Sequence, residues 1–179
     1  MRIIYQPESF TATKVSDLIN EVPWVSEQAR RKECFMSDEP REYQYIENGP
    51  IYYSVPFIPA VEYIRIVVNY IYQCRMNVCF LNYYEDQNQA LGWHADDAPQ
   101  IDQTEPIVVV SFGQAREIWW RRKDEKGVVP PEQRQLLEYG SVFVMPPGMQ
   151  DTHFHRIPKG DRAMGPRVSL TYRCWKGDK

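Results

Sequence analysis

The chain contains three histidines, at positions 94, 153 and 155. His94 and Asp96 stand two residues apart in LGWHADDAPQ, so on an extended backbone their side chains lie on the same face and can reach one metal ion. His155, in DTHFHRIP, can complete a set of two histidines and one carboxylate. Such a set occupies one face of an octahedral iron(II) ion and leaves positions open for a bidentate cosubstrate and dioxygen. The alternative is a chance His-x-Asp pair and a solvated histidine in a proline-rich loop.

The segment RVSLTYR, near the carboxyl end, predicts a strand with two different faces. One face is wholly polar and carries Arg167, Ser169, Thr171 and Arg173. If the other face packs on the core, the polar face either meets water or lines a cavity that holds an anion. Arginine is suited to the second case because it binds a carboxylate through two parallel hydrogen bonds. The two arginines lie ~20 Å apart on an extended strand, so both reach one small diacid only if their stems lean together or the strand is strongly coiled.

A second polar face occurs in CFLNYYED, where Asn82 and Tyr84 point one way and Tyr83 points the other. An inward amide and an inward phenol can hydrogen-bond the two ends of the same diacid. The alternative is a core tyrosine with a satisfied hydroxyl and an asparagine at a strand end.

The elements that must position these side chains are helical first and extended later. Helical periodicity covers Thr13 to Val22 and Ala60 to Cys74, and the intervening EPREYQYIENGPIYYSVPFIP predicts short strands and loops with exposed aromatic side chains. Six later segments predict strands: NVCFLNYY, PIVVVSF, REIWWRR, QRQLLEY, SVFVMP and RVSLTYR. This order predicts an α+β chain whose catalytic part is an antiparallel double-sheet jelly roll or a barrel-like sandwich.

Length and composition are those of one compact domain over residues 1–179. No apolar run approaches the ~18 residues that span a bilayer, and the amino-terminal residues do not form a secretory signal, so we expect a protein of the cytoplasm or nucleus. The net charge of −3 means that nucleic-acid binding would need a local basic patch. Four cysteines without a C-x-x-C pair predict reduced, buried thiols.

The motifs N-x-Y, H-x-D, a distant His and R-x-S-L-T-Y-R, in this order, resemble those of the AlkB-like dioxygenases. The resemblance covers approximately Pro40 to Trp175, includes EPREY, IYYS, PIVVVSFG and LLEYGSVFVM, and is closest to the DNA-repair branch. It implies a double-stranded β-helix, which is a cupin-like jelly roll, with the amino-terminal helices packed on one sheet. Residues 1–75 would be a helical scaffold and substrate-contacting segment, and residues 76–176 the catalytic β core.

The resemblance further implies three cofactors and cosubstrates: iron(II), 2-oxoglutarate and O2. His94, Asp96 and His155 would hold the iron, and His153 falls outside the liganding position. The activity implied is oxidative dealkylation of N-alkylated bases in DNA or RNA, with release of formaldehyde, succinate and CO2. The substrate base must then be unstacked and brought to the metal.

The same resemblance implies which residues bind the cosubstrate. Arg167, with help from Tyr84 and Ser169, would bind the distal carboxylate of 2-oxoglutarate. Arg173 with Asn82 would lie near the iron-bound end.

The residues proposed to contact the substrate are Tyr53, Trp93, Asp97, Arg121 and Arg162. Tyr53, in PIYYSV, corresponds to a position where relatives place an aromatic ring against the flipped base, with Tyr52 as the neighbouring alternative. Packing tyrosines and solvated arginines at sheet ends are the alternatives for these residues. Trp119 and Trp120 must lie on opposite faces of their strand. Position 98, where DNA-repair relatives usually carry an acidic residue, is alanine, which leaves the preferred base open.

Three functions compete at this point. The first is dealkylation of a nucleic-acid base by a monomeric enzyme with no membrane association. The second keeps the oxygenase and changes the substrate to a modified nucleotide, a protein side chain or a small molecule. The third is a non-enzymatic β-sandwich binding module with a degenerate or zinc-filled site.

Overall fold

The computed structural model describes residues 2–25, 31–44 and 49–177. Within these ranges the larger sheet has six strands, in the order β1 (Ile4–Gln6), β10 (Ser141–Met145), β7 (Ile107–Gly113), β12 (Arg167–Arg173), β5 (Val78–Tyr84) and β2 (Lys32–Ser37). The smaller sheet has four, in the order β6 (Leu91–His94), β11 (His153–Ile157), β8 (Arg116–Arg122) and β9 (Arg134–Leu137). A short ribbon pairs β3 (Glu42–Tyr43) with β4 (Tyr52–Tyr53), and the helices are α1 (Val15–Glu21), α2 (Pro59–Tyr72) and α3 (Met149–Thr152).

All neighbouring strands are antiparallel, and the inward faces of the two sheets share one apolar layer. The larger sheet contributes Phe80, Val109 and Phe143, and the smaller sheet contributes Ile118, Leu137 and Ile157. Two antiparallel sheets that enclose a common core form the predicted jelly roll. The polar face of β12 belongs to this interior, because Arg167, Ser169, Thr171 and Arg173 are all buried.

Both long helices cover the outer face of the larger sheet, as predicted. Leu18 of α1 and Ile64 of α2 belong to the same buried cluster as Leu170 and Tyr172 of β12. The Tyr172 hydroxyl donates a hydrogen bond to the Val61 carbonyl oxygen at 2.7 Å, which ties α2 to the sheet. Helix α2 has a proline in its first turn, where no intrahelical partner is needed, and its C-cap Gln73 is left-handed, with φ of 51°.

The six predicted strands do not include β1, β2, β6 or β11. β1 and β2 lie in the front half, which the sequence pattern presented as helical, and they pair with β10 and β5. β1 has only three residues, and β2 is an edge strand that carries charged residues, so neither shows the alternation of a half-buried strand. β11 replaces the proline-rich loop that was the alternative setting for His155.

The front-half aromatic residues are not uniformly exposed. Tyr43 is buried against Phe80 and Trp175, with ring centroids 6.0 and 5.9 Å away, whereas Tyr53 is 67% exposed. Tyr45 lies outside the described residues.

All four cysteines are free and buried, as predicted: Cys34, Cys74, Cys79 and Cys174. Burial raises the pKa of the Cys34 thiol to about 12. Within the described residues, no helix has both the length and the apolar character needed to span a membrane.

Candidate metal centre

The three predicted ligand side chains converge at one end of the smaller sheet. β6 and β11 pair with His94 directly opposite His155, and the two imidazole centroids are 4.2 Å apart. Asp96 follows β6, and its Oδ1 and Oδ2 atoms lie 3.8 Å from the Nε2 atoms of His94 and His155 respectively. One ligand atom from each residue lies within 4.8 Å of the others, a spacing that one metal ion can bridge. His153, the first residue of β11 and two positions before His155, is not part of this group.

Each ligand is oriented by the chain around it. The His94 Nδ1 atom lies 2.9 Å from the Gly92 carbonyl oxygen, which can only accept, so Nδ1 carries the proton and Nε2 is free for a metal. The Asp96 backbone N–H donates to the Gln150 side-chain oxygen at 2.9 Å. Burial, with the neighbouring His94, lowers the pKa of His155 to about 3, so this imidazole is neutral, which is the form that binds metals.

Asp96 is also paired with an arginine of the final strand. The Arg173 Nη2 atom donates to Asp96 Oδ1 at 2.7 Å, and both side chains are buried. Burial raises the pKa of Asp96, but the charge of Arg173 and the two imidazoles outweigh it and lower the pKa to about 2. The carboxylate is therefore ionised, and among the described residues its Oδ2 atom has no hydrogen-bond partner. An ionised, unpartnered oxygen facing two neutral imidazoles fits a divalent cation.

Arg167, at the other end of β12, is a fully buried cation. Its Nη2 donates to the Ser111 hydroxyl at 3.0 Å, and its guanidinium lies over the Tyr84 ring, 5.3 Å from the centroid. Burial lowers the pKa of Arg167 to about 10, only partly offset by Tyr84. Among the described residues Nε and Nη1 have no hydrogen-bond partner and no carboxylate forms an ion pair with Arg167. A buried cation in this state fits a carboxylate ligand.

The hydroxyl group that contacts Arg167 is that of Ser111, and no hydrogen bond from Arg167 to Ser169 occurs among the described residues. The strand register explains the neighbourhood, because Ser141, Ser111 and Ser169 lie opposite one another on β10, β7 and β12. Ser169 therefore lies close to Ser111 on the same buried polar row, and its role with the cosubstrate stays a prediction.

A cavity of about 30 Å³ lies beside the three converging ligands, with Asn82, Arg31 and Arg173 on its wall. Arg31 donates from Nε to the Asn82 side-chain oxygen at 2.7 Å and also pairs with Glu33. Asn82 points inward, as predicted from its parity with Tyr84, and its oxygen is occupied by Arg31.

Sequence reasoning missed three residues of the centre: Arg31, Ser111 and Gln150. Ser111 carried a usable signal, because it is the polar inward residue of the apolar segment PIVVVSF. Arg31 and Gln150 carried none, since each reaches the site from a segment without periodicity.

The residues predicted to contact substrate lie in different surroundings. Trp93 and Arg121 are on the face of the smaller sheet opposite to His155. Asp97 points away from Asp96 and forms an ion pair with Lys123 at 2.9 Å. Trp93 lies between two arginines, with the Arg121 guanidinium 4.4 Å from its centroid. Arg162 is exposed on the loop before β12. Ala98 is buried.

The two adjacent tryptophans of β8 take opposite faces, as predicted. Trp120 packs inward on Phe143, with centroids 5.8 Å apart, and Trp119 lies on the outer face against Arg134 and Arg156. Only Trp120 is therefore on the same side of the sheet as His155.

Comparison with known proteins agrees with this geometry. A family model described as the 2OG-Fe(II) oxygenase superfamily matches residues 5–173. The human protein named DNA oxidative demethylase ALKBH2 is 31% identical over 147 residues, covering 80% of this chain and 56% of that protein. Mouse alpha-ketoglutarate-dependent dioxygenase alkB homolog 3 is 27% identical over 173 residues, covering 89% of this chain and 59% of that protein. The chain thus spans little more than half the length of these relatives.

A solved structure described as the structure of OsALKBH1 superposes with a TM-score of 0.65, covering 97% of this chain and 99% of that chain. At 16% sequence identity the likeness concerns the fold alone.

Proposed function

The chain belongs to the 2OG-Fe(II) oxygenase superfamily and is AlkB-like within it, and from this premise we propose that it oxidatively dealkylates N-alkylated bases of DNA or RNA. The observation that carries the proposal is the convergence of two imidazoles and an ionised carboxylate in the same interior as a buried arginine that has no counter-charge within the described part of the chain. The two imidazoles and the carboxylate fit iron(II), and the buried arginine fits the free carboxylate of a diacid.

In this proposal His94, Asp96 and His155 hold the iron. The bound metal with 2-oxoglutarate and O2 supplies oxidation of an alkyl C–H bond, after which the hydroxylated carbon leaves the base as formaldehyde and the diacid leaves as succinate and CO2. Arg173 keeps Asp96 ionised and fixed in place. Gly92 fixes the imidazole of His94 through its carbonyl oxygen.

Arg167 would bind the distal carboxylate of 2-oxoglutarate through its Nε and Nη1 atoms, which have no hydrogen-bond partner among residues 2–25, 31–44 and 49–177. Tyr84 and the Ser111–Ser169 pair lie around it. The cavity beside the metal ligands, at about 30 Å³, has room for roughly one water molecule. Binding of a five-carbon diacid would therefore displace the Arg31 side chain from Asn82, freeing the amide for the other end of the cosubstrate.

The nucleic-acid substrate is supported by the names of the relatives and by aromatic and basic side chains at the surface. Tyr53 and Arg162 are exposed, and Trp93 and Arg121 provide a ring and a cation on the face of the smaller sheet opposite to His155. Stacking of a base on an aromatic ring contributes ~1 to 3 kcal/mol. The proposal includes a single domain over residues 1–179. It also includes action as a monomer and no association with a membrane. Such a substrate implies action in the cytoplasm or nucleus.

The test is turnover of defined lesions. Purified protein with iron(II), ascorbate and 2-oxoglutarate is incubated with oligonucleotides that carry 1-methyladenine or 3-methylcytosine, in DNA and in RNA. We expect loss of the methyl mass and equimolar formaldehyde, both absent for Asp96→Asn.

No demethylation across the panel of lesions would contradict the proposed substrate, even if succinate formed. Stimulation of succinate formation by a peptide or small molecule, with no effect of oligonucleotides, would move the activity to that substrate. No succinate under any condition would contradict an oxygenase.

A further inference from the structure

The outer face of the smaller sheet carries five side chains in which guanidinium groups and indole rings alternate. We call Arg121, Trp93, Arg156, Trp119 and Arg134 the arginine–tryptophan row. The Arg156 guanidinium lies between two indoles, 4.9 Å from the Trp93 centroid and 4.3 Å from the Trp119 centroid. Arg134 covers Trp119 at 4.2 Å, and Arg121 covers Trp93 at 4.4 Å.

Strand register produces this row. Arg156 of β11 lies opposite Trp119 of β8, which lies opposite Arg134 of β9. Because side chains alternate along a strand, the row occupies the face opposite to that of His155. A ligand on the row is therefore separated from the metal centre by the thickness of the sheet.

The three arginines of the row lack a neutralising carboxylate among the residues that the structure describes. None of them forms an ion pair with a carboxylate among the described residues. Arg134 donates to the Val129 carbonyl oxygen. The Nε atoms of Arg121 and Arg156 are buried and have no hydrogen-bond partner in the described part of the chain. Burial and the charges of Arg121 and Arg134 lower the pKa of Arg156. Cation–π contacts hold the three charges together, and their mutual repulsion remains.

Next to the row lies an open cavity of about 910 Å³ whose wall includes Trp119, Arg134 and Arg156. Lys159 and Arg162 add positive charge to this wall. The wall also includes two carboxylates: Glu117, which accepts from Trp119 Nε1 at 2.6 Å, and Asp161. Cations outnumber these carboxylates, so the surface carries a local excess of positive charge on a chain whose net charge is −3.

We propose that the arginine–tryptophan row binds the phosphate backbone of a single nucleic-acid strand, at a surface separate from the metal centre. The guanidinium groups provide rigid N–H donors of the geometry that phosphate oxygens accept, and the indoles fix the guanidinium planes. A row of unneutralised cations is complementary to a polyanion. The choice of nucleic acid as that polyanion rests on the proposed function.

The test is binding of a fluorescein-labelled, unmodified twelve-nucleotide DNA strand to the full chain, followed by anisotropy over a range of salt concentrations. The variant is Arg134→Gln combined with Arg156→Gln. Each phosphate contact contributes a slope of ~0.7 to the plot of log affinity against log salt for single strands. We expect the double variant to bind roughly tenfold more weakly and to lose ~1.4 from the slope.

Three controls accompany the double variant. Arg75→Gln removes the same charge from a side chain that is 70% exposed elsewhere on the surface, and we expect it to bind like the wild type. Arg134→Gln alone, on a strand that carries no metal ligand, should lose ~0.7 from the slope and keeps the test readable if the double variant does not fold. Arg134→Lys with Arg156→Lys should restore most of the slope, because lysine binds phosphate as a point charge.

Unchanged affinity and slope in folded Arg134→Gln and in the double variant would overturn the proposal, as would an equal loss in Arg75→Gln. Competition by inorganic phosphate or a nucleoside monophosphate at concentrations as low as those of the oligonucleotide would also overturn it, since a strand must engage several cations. If the row binds the strand but no lesion is demethylated, the proposed function is contradicted and the proposed strand-binding role of the row stands. If lesions are demethylated but the variants bind the strand normally, the role of the row is contradicted and the proposed function stands.

Discussion

The guanidinium groups of Arg167 and Arg116 both lie over the Tyr84 ring, 5.3 and 5.1 Å from its centroid, and their surroundings differ. Arg116 donates to the carbonyl oxygens of Asp86, Gln89 and Pro158, so its donors are used by the fold. Arg167 donates to the Ser111 hydroxyl, and among the described residues its buried Nε and Nη1 atoms have no hydrogen-bond partner. Arg116 therefore holds loops in place, whereas Arg167 has donors available for an anionic ligand.

The first prediction follows from this contrast. Arg167→Gln should weaken 2-oxoglutarate binding by roughly 10- to 100-fold, because charge-assisted hydrogen bonds to a carboxylate contribute about 1.5 to 3 kcal/mol. Arg116→Gln should instead lower the free energy of unfolding while leaving the affinity of the folded fraction close to wild type. Calorimetric titration with 2-oxoglutarate and urea denaturation measure the two effects. Equal affinity losses in both variants would contradict the assignment of Arg167.

Arg173 provides a second prediction, concerning stability in the absence of metal. Arg173→Gln leaves the buried Asp96 carboxylate without its cation and should cost about 3 to 5 kcal/mol in the free energy of unfolding, measured by urea denaturation in EDTA. Cobalt(II) should recover more stability in this variant than in the wild type, since the ion replaces the missing charge. Arg75→Gln, at an exposed pair with Glu105, should cost at most about 1 kcal/mol. A loss equally small for Arg173→Gln would show that Asp96 does not depend on it.

Much of the metal centre was predictable residue by residue, because backbone geometry alone decides which side chains of an extended segment share a face. His94 with Asp96, Asn82 with Tyr84, and Arg167 with Arg173 were each assigned to a common face, and the structure places each pair inside. The contribution of Gln150 was not predictable, because it is set by how α3 packs beside the segment after β6.

Among the elements, β12 connects the scaffold to the chemistry. It lies between β7 and β5, its outer residues pack under α1 and α2, and its inner residues form the polar row. The strand predictions for 116–122 and 167–173 agree with β8 and β12. RVSLTYR alternates polar and apolar residues, and REIWWRR contains an isoleucine and two tryptophans, which favour strands. β2 and β11 were missed because pairing with neighbouring strands, rather than their own residue pattern, makes them strands.

A third prediction concerns how much the packing of β12 against the helices contributes to the free energy of unfolding. Leu170 is fully buried between the sheet and the helices, and Leu170→Ala should lower the free energy of unfolding by about 2 to 5 kcal/mol. Ile66→Ala on α2, where the side chain is 56% exposed, should cost less than about 1 kcal/mol. Urea denaturation of both variants is the measurement. Similar costs at the two positions would mean that the helices do not pack on this strand as described.

For the whole molecule, the class of fold followed from the order of helical and extended segments, and the double-sheet core follows that order. The front half of the chain is not purely helical in the structure, because its strands β1 and β2 form the two edges of the larger sheet. Long-range pairing of this kind depends on contacts between segments far apart in the chain, which local periodicity does not encode.

A fourth prediction uses the cysteines as reporters of the whole fold. Cys34, Cys74, Cys79 and Cys174 are distributed over the chain and all buried, and burial raises the pKa of Cys74 to about 11. A thiol reagent at pH 8 should therefore label no cysteine of the native protein and all four in denaturant. Labelling should follow the urea unfolding curve at every site. Rapid labelling of one cysteine under native conditions would show that its region opens independently.

The most direct test of the centre is optical titration without oxygen. Protein loaded with iron(II) should develop a visible charge-transfer absorption band when 2-oxoglutarate is added, and Asp97→Asn, one residue away, should develop the same band. Asp96→Asn should show no such band. Absence of the band in folded wild-type protein, or its persistence in Asp96→Asn, would contradict the claim that His94, Asp96 and His155 hold a metal beside a bound diacid.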